Sequence, residues 1–210
     1  MRSSPFDVYY EEYDEWYERN RFAYLSELKA LEGEIPRDKR GLEVGIGTGR
    51  FAEPLGVSFG VDPSINMLKV AKERGAEVIQ GRGEELPFYD CVFDYVLMVI
   101  TICFLDDPST VISEIRRVLK PNGLIIVGIV DRESFLGRYY MEKKEKGSKF
   151  YRDARFFSTE EVMKLLEEKG FRRKKVIQTI FDLPEKLKEV EEPKEGFGVG
   201  GFTVIVAEKT

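Results

Sequence analysis

A chain of 210 residues with 42% hydrophobic content is long enough to bury a sizeable core, and residues 1–210 read as one domain. Its formal net charge of -5, spread over 34% charged residues of both signs, argues against a nucleic-acid partner held by phosphate neutralisation. Histidine is absent, which excludes a histidine-based triad or a histidine-ligated metal and leaves carboxylate, Tyr, Lys or Cys as any general base.

No apolar run approaches the roughly 18 residues of a membrane-spanning helix, and no signal-peptide pattern opens the sequence. No membrane partner is therefore expected, and the protein reads as cytoplasmic. Cys91 and Cys103 suggest neither a disulfide framework nor a zinc site, so no metal is expected. Few amides and many Glu, Lys and Arg match the bias of heat-adapted proteins.

Residues 6–31 predict two helices rich in aromatic side chains. Tyr9, Tyr13 and Trp16 fall on one helical face, which either packs on the core or forms a lid whose rings stabilise a cation. From Asp7 to Glu18 there are six acids and no basic residue. A turn-rich linker over 33–39 leads to the central stretch, Gly41-Leu42-Glu43-Val44-Gly45-Ile46-Gly47-Thr48-Gly49-Arg50, which reads as strand, tight turn and helix start. A dinucleotide fingerprint is G-x-G-x-x-G/A, whereas Arg50 occupies the sixth position here. Glu43 places a carboxylate beside the turn, where it repels a pyrophosphate and attracts an ammonium or sulfonium group.

Residues 57–62 predict a second strand ending in Asp62, placed after the glycines as an acid that binds ribose hydroxyls would be. Pro63 and Ser64 open a helix over 65–74, with Ile65, Leu68 and Val70 expected to face inward. A third strand is expected at 77–80, followed by the loop Gly81-Arg82-Gly83-Glu84. Residues 92–99 are almost continuously apolar, as in a central strand buried on both faces. The carboxyl end of that strand, from Val99 to Phe104, should lie near the reacting group, and Thr101 is its only hydroxyl side chain. A helix over 106–119 and a turn at Asn122-Gly123 precede a fifth strand at 124–130.

Residues 138–155 carry seven basic and three acidic side chains. They form either a solvated helix or a cap over an anionic substrate, with Arg138, Tyr139 and Tyr140 as its contacts. Ser158-Thr159-Glu160-Glu161 reads as a capping box opening a helix that ends at Gly170. Residues 171–181 and 201–207 alternate as two closing strands. The charged, then glycine-rich stretch 184–200 between them is either a mobile connection or a substrate-lining loop.

Read together, E-x-G-x-G-x-G, the stretch Gly60-Val61-Asp62-Pro63-Ser64 with Met67-Leu68, Glu84-Glu85-Leu86-Pro87-Phe88, Phe93-Asp94-Tyr95-Val96 and Glu114 to Gly123 resemble the class I S-adenosylmethionine-dependent methyltransferases. The likeness is to their ubiquinone/menaquinone-biosynthesis-like branch and spans roughly residues 40–130. It implies an α/β fold: a Rossmann-like doubly wound sheet of seven strands, mostly parallel with an antiparallel C-terminal strand. Residues 1–35 would form a helical lid, 40–130 the cofactor-binding core, 131–157 a helical cap insertion, and 158–210 the last helix and closing hairpin.

The resemblance also implies S-adenosyl-L-methionine as methyl donor and S-adenosyl-L-homocysteine as product. It carries cofactor contacts onto Glu43, Gly45, Ile46, Gly47, Gly49, Asp62, Pro63, Met67, Gly83, Glu84 and Val99, and a lid contact onto Tyr13. Met67 would pack on the adenine. The family's usual Asp-Ala-Glu-x-Leu-Pro-Phe is replaced by Arg82-Gly83-Glu84, so either Glu84 or the backbone reads the adenine. Arg82 itself pairs with a neighbouring acid or reaches an acidic substrate. The expected acceptor is a small molecule, with Thr101, Arg138 and Tyr139 as candidate contacts and no catalytic residue assigned. Competing readings are an RNA or protein methyltransferase, a non-catalytic S-adenosylmethionine-binding regulator, and a nicotinamide dehydrogenase, the last disfavoured by Arg50.

Overall fold

The computed structural model describes residues 5–210. The N-terminal segment forms three helices, α1 (Pro5–Val8), α2 (Tyr10–Arg19) and α3 (Arg21–Glu32), where two are expected from the sequence. The break between α2 and α3 is at Asn20, whose side-chain and backbone N–H groups both donate to the Trp16 carbonyl and close the α2 end. The chain then alternates through β1 (Gly41–Val44), α4 (Ala52–Leu55), β2 (Phe59–Asp62), α5 (Ile65–Glu73) and β3 (Glu77–Gln80). After β4 (Phe93–Val99) come α6 (Pro108–Val118), β5 (Leu119–Val130), α7 (Phe135–Glu145) and α8 (Thr159–Glu168). The chain closes with β6 (Phe171–Thr179), β7 (Lys194–Glu195) and β8 (Phe202–Lys209).

These strands make one sheet in the order β3-β2-β1-β4-β5-β8-β6-β7. The first five run parallel, and β8 lies antiparallel between β5 and β6. All seven expected strands are present, and the two-residue β7 adds an eighth at the edge. Chain order reverses between β1 and β4, so the crevice at the carboxyl ends of these two strands is where such a sheet takes a ligand.

Side chains alternate along β4 between two cores. Tyr95, Leu97 and Val99 join Phe51, Leu68, Ala71 and Phe202 on one face, whereas Val96 and Met98 join Ile112, Ile115 and Leu166 on the other. Burial on both faces explains the nearly unbroken apolar run of β4. The expected turn at Asn122-Gly123 survives as a bulge within β5. Asn122 is left-handed (φ 60°), and the register with β4 jumps from Phe93–Leu119 to Tyr95–Leu124.

Two expectations change. Ile65 is 46% exposed, because the buried stripe of α5 runs through Met67, Leu68 and Ala71. The 184–200 stretch is tied down rather than loose. Glu191 accepts from the Phe181 N–H at 2.7 Å and donates its own N–H to Ser26 at 2.8 Å, while Gln178 Oε1 accepts from Val199 and Gly200.

The capping box at α8 is formed in both directions: Ser158 Oγ accepts from the Glu161 N–H at 3.2 Å, and Glu161 accepts from the Ser158 N–H at 2.9 Å. Ser158→Ala should therefore cost about 1 kcal/mol and lower the melting temperature by about 2–4 °C in a thermal melt. An unchanged melting temperature would mean that this helix end does not limit stability.

Candidate functional site

The turn after β1 needs three glycines for three different reasons. Gly45, Gly47 and Gly49 all have positive φ (75°, 54° and 80°), a region costly for side chains with a Cβ. At Gly45 a Cβ would also lie 2.3 Å from Thr101, and at Gly49 it would press on Ala71 of α5 at 3.2 Å. At Gly47 the only neighbour within 4 Å among the described residues is the Met67 sulfur at 3.7 Å, so a Cβ there would enter nearly open space. Gly45 and Gly49 let the protein pack against the turn, whereas Gly47 leaves room for something else.

The backbone of the turn is fixed from β2. Gly45 and Ile46 donate to the Val61 carbonyl at 2.8 and 3.1 Å, and Ile46 buries its side chain against Gly60. Gly47 donates to Asp62 Oδ2 at 3.0 Å, and Asp62 Oδ1 accepts from Ser64 N–H at 2.9 Å. Each Asp62 oxygen thus keeps acceptor capacity while its orientation is set. Burial pushes the Asp62 carboxyl up, partly offset by these two N–H groups.

Glu43 is 1% exposed, and its Oε2 has no hydrogen-bond partner among the described residues. Burial, with Asp62 adding to it, holds this carboxyl well above the usual carboxylate range despite an N–H from Ala52. Such a group favours a cationic or donor partner.

Other expected contacts lie on the segments that follow β2, β3 and β4. Met67 is fully buried at the start of α5, and the Pro63 carbonyl accepts from Gln80 at 3.0 Å. Gly83 lets the loop after β3 approach Val111 and Val44 closely. Thr101 packs against Gly45 and donates to the Val99 carbonyl at 3.0 Å. Arg82, the departure from the family pattern, is exposed and donates to Asp106 at 2.6 Å and to Glu84 at 3.3 Å. Its guanidinium is therefore engaged by neighbouring acids.

Over the turn lies the acidic N-terminal segment. Asp14 of α2 accepts from Thr48 Oγ1 at 2.6 Å, from Arg50 Nε at 2.9 Å and from Arg74 at 2.8 and 2.9 Å. Arg50 also reaches Glu18, and Tyr24 donates to the Arg50 carbonyl. Asp7 of α1 accepts from Ser64 Oγ at 2.7 Å, and Asn66 donates to the Asp7 carbonyl at 3.0 Å. The residue that breaks the dinucleotide fingerprint, Arg50, is what fastens α2 to the turn.

Beside this roof a cavity of about 60 Å³ opens at the carboxyl ends of β4 and β5, against Ile100, Cys103 and Val130. Phe6, Tyr13, Trp16 and Tyr17 wall it from the N-terminal helices. Phe104, Tyr140, Phe150 and Tyr151 complete its aromatic lining, and Glu27 of α3 is the only carboxylate among the described lining residues. The Tyr13 and Tyr17 hydroxyls lie 2.7 Å apart. Burial pushes the phenols of Tyr13, Tyr17, Tyr140 and Tyr151 upward and the Cys103 thiol up to about 12, so these groups stay protonated near neutrality.

Of the three residues singled out in the basic segment, Tyr140 lines this cavity and Arg138 and Tyr139 do not. Arg138 is exposed and donates to the Glu133 carbonyl, while Tyr139 donates to Glu185 at 2.9 Å. Tyr140, the next residue, points inward because α7 buries Leu136, Gly137 and Tyr140 together. Sequence reasoning missed Glu27, although it shares a helical stripe with Ala23, Ala30 and Leu31; an acid on an apolar face was the available signal. Tyr17 and Tyr151 carried no comparable mark.

The model of a family described as "Methyltransferase domain" matches residues 42–127. An uncharacterized protein of Methanocaldococcus jannaschii is 52% identical over 204 residues, 97% of this chain and 98% of that protein. The crystal structure of a SAM-dependent methyltransferase from Thermotoga maritima, described as a "possible histamine N-methyltransferase", is 51% identical, with a TM-score of 0.95 and 98% of each chain covered. A demethylmenaquinone methyltransferase of Geobacillus kaustophilus is 34% identical over 106 residues, 44% of this chain and 45% of that protein.

Proposed function

The chain belongs to the class I S-adenosylmethionine-dependent methyltransferases, and from that premise we propose that its methyl acceptor is a small molecule taken into the aromatic cavity beside the glycine turn. When bound, S-adenosylmethionine supplies an electrophilic methyl group on a sulfonium. The protein must then hold an acceptor in line with that group and keep water away.

The observation that carries this reading is the enclosure of the cavity. It lies at the carboxyl ends of β4 and β5 under a roof of aromatic rings, a space suited to a small apolar body with few polar contacts. A net charge of -5 counts against an RNA acceptor. A purely regulatory S-adenosylmethionine binder would have no use for a second lined space next to the donor.

For the donor, the residues present fit. Gly47 with open space beside it, the oriented Asp62 carboxylate, buried Met67 and Glu43, whose Oε2 has no hydrogen-bond partner among the described residues, lie along β1, β2 and the turn and helix that follow them. Glu43 is suited to an amino group and Asp62 to ribose hydroxyls. Tyr13 would face the acceptor side. No helix of the described residues is long and apolar enough to cross a membrane, in keeping with a cytoplasmic enzyme acting on dissolved metabolites.

Calorimetric titration with S-adenosylhomocysteine and, separately, with NADH tests the base of this reading. Micromolar binding of the first alone is expected, followed by methyl transfer to a member of a small-metabolite panel. Binding of NADH alone would remove the assignment of the crevice.

A further inference from the structure

Glu27 is not accounted for by anything above. It sits on α3, 2% exposed, facing the cavity, and its Oε2 has no hydrogen-bond partner among the described residues. Burying a carboxylate with an unmet oxygen is costly, and a helix facing a core would ordinarily carry an apolar residue there. Burial alone raises its carboxyl to about 8, with no cation among the described residues to lower it, so near pH 7 it ionises when a cationic ligand enters. The titratable groups that share the cavity with it are the phenols of Tyr13 and Tyr17 from α2, those of Tyr140 and Tyr151, and the Cys103 thiol. All of these stay neutral near pH 7. The cavity is thus lined by aromatic faces and one carboxyl group with no counter-ion among the described residues.

We propose that this is an amine site: Glu27 anchors a protonated primary or secondary amine among the aromatic rings and takes the proton that must leave its nitrogen before methylation. Aromatic faces attract an ammonium group, most strongly when water is excluded, and a carboxylate completes the charge balance. An alcohol gains no ion pair here, and an acid would place a second negative charge against Glu27. One proton passes from the ammonium nitrogen to the Glu27 carboxylate, and the electron pair left on nitrogen would take the donor's methyl group as the methyl–sulfur bond breaks. That proton goes to solvent when the site reopens. In a dry cavity a neutral amine beside a neutral carboxylic acid is favoured over two buried charges, so closure itself drives this transfer.

The inference rests on the small-molecule reading above, and the experiment keeps the two apart. Protein saturated with S-adenosylhomocysteine is titrated calorimetrically with n-butylamine and benzylamine, then with the matching alcohols and the carboxylates butyrate and benzoate. At least one amine should bind at least tenfold more tightly than its alcohol and acid counterparts. Glu27→Gln should lose that preference while S-adenosylhomocysteine affinity stays the same. Because the variant replaces a buried carboxyl with an unmet oxygen by a neutral amide, its melting temperature should be equal or higher. The comparison of the three ligand types in the unaltered protein needs no variant at all.

Equal binding of amine and alcohol, no amine binding, preference for the acids, or amine that displaces S-adenosylhomocysteine would each overturn the amine site. Failure of S-adenosylhomocysteine to bind would instead remove the reading beneath it.

Discussion

Gly47→Leu should weaken S-adenosylhomocysteine binding at least a hundredfold, about 2.7 kcal/mol, while the chain still folds. The argument is spatial. A Cβ at Gly47 would meet only the Met67 sulfur among the described residues, so the side chain starts into open space beside the turn, where the cofactor is proposed to sit. The left-handed backbone (φ 54°) adds a strain of about 1–2 kcal/mol, or a fall of about 2–8 °C in melting temperature. Gly45→Leu is the matched control. It has the same kind of backbone strain, but its Cβ would lie 2.3 Å from Thr101, so it should lose far more stability. Circular dichroism melts and calorimetry on the two variants separate ligand exclusion from misfolding. A folded Gly47→Leu protein with unchanged affinity would move the cofactor away from this turn.

How much of this could be read from the sequence depends on how local each feature is. The glycine turn, the Asp62 strand end, the central position of β4 and the α8 capping box are each set by a few consecutive residues, and each formed as expected. The acids between Asp7 and Glu18 were visible as a block, but their partners Ser64, Arg50 and Arg74 lie far along the chain. Only the folded sheet brings α1 and α2 over the turn. Ile65 was misjudged because capping at Ser64 sets the helix phase, and the buried stripe then falls on Met67, Leu68 and Ala71. Charge and chemistry point to Arg138, Tyr139 and Tyr140 alike. A helix rotates its neighbours by about 100° per residue, so Tyr140 faces the cavity and the two before it do not. Glu27 was hidden for the opposite reason: a glutamate in a helix reads as solvated until burial is known.

The second large effect is expected at Asp14, the point where the N-terminal roof is fixed to the cofactor turn. Its carboxylate receives Thr48, Arg50 and Arg74 at once, and its side chain is 18% exposed against 14% for Arg50 and 26% for Arg74. A surface ion pair contributes up to about 1 kcal/mol, and breaking a fully buried one costs about 3–5 kcal/mol. Asp14→Ala lies between, at about 2–3 kcal/mol, because Arg50 keeps Glu18 and Arg74 keeps the Thr48 carbonyl. Burial pushes the Asp14 carboxyl up, but the hydrogen bonds from Arg74, Arg50 and Thr48 outweigh it and hold the group well below the usual carboxylate range. The stabilisation is therefore fully present above the ordinary carboxylate value and is lost as the pH falls below it toward the depressed native value. The melting-temperature gap between wild type and Asp14→Ala should be wide at pH 7 and narrow steadily below about pH 4. Glu27, Glu43 and Asp62, whose carboxyls shift upward, titrate in both proteins and cancel in that difference. Because Asp14 also holds Thr48 within the turn, S-adenosylhomocysteine affinity should fall about tenfold in the variant. A gap that persists unchanged into acid, or an affinity equal to wild type, would mean that α2 stays in place without this cluster.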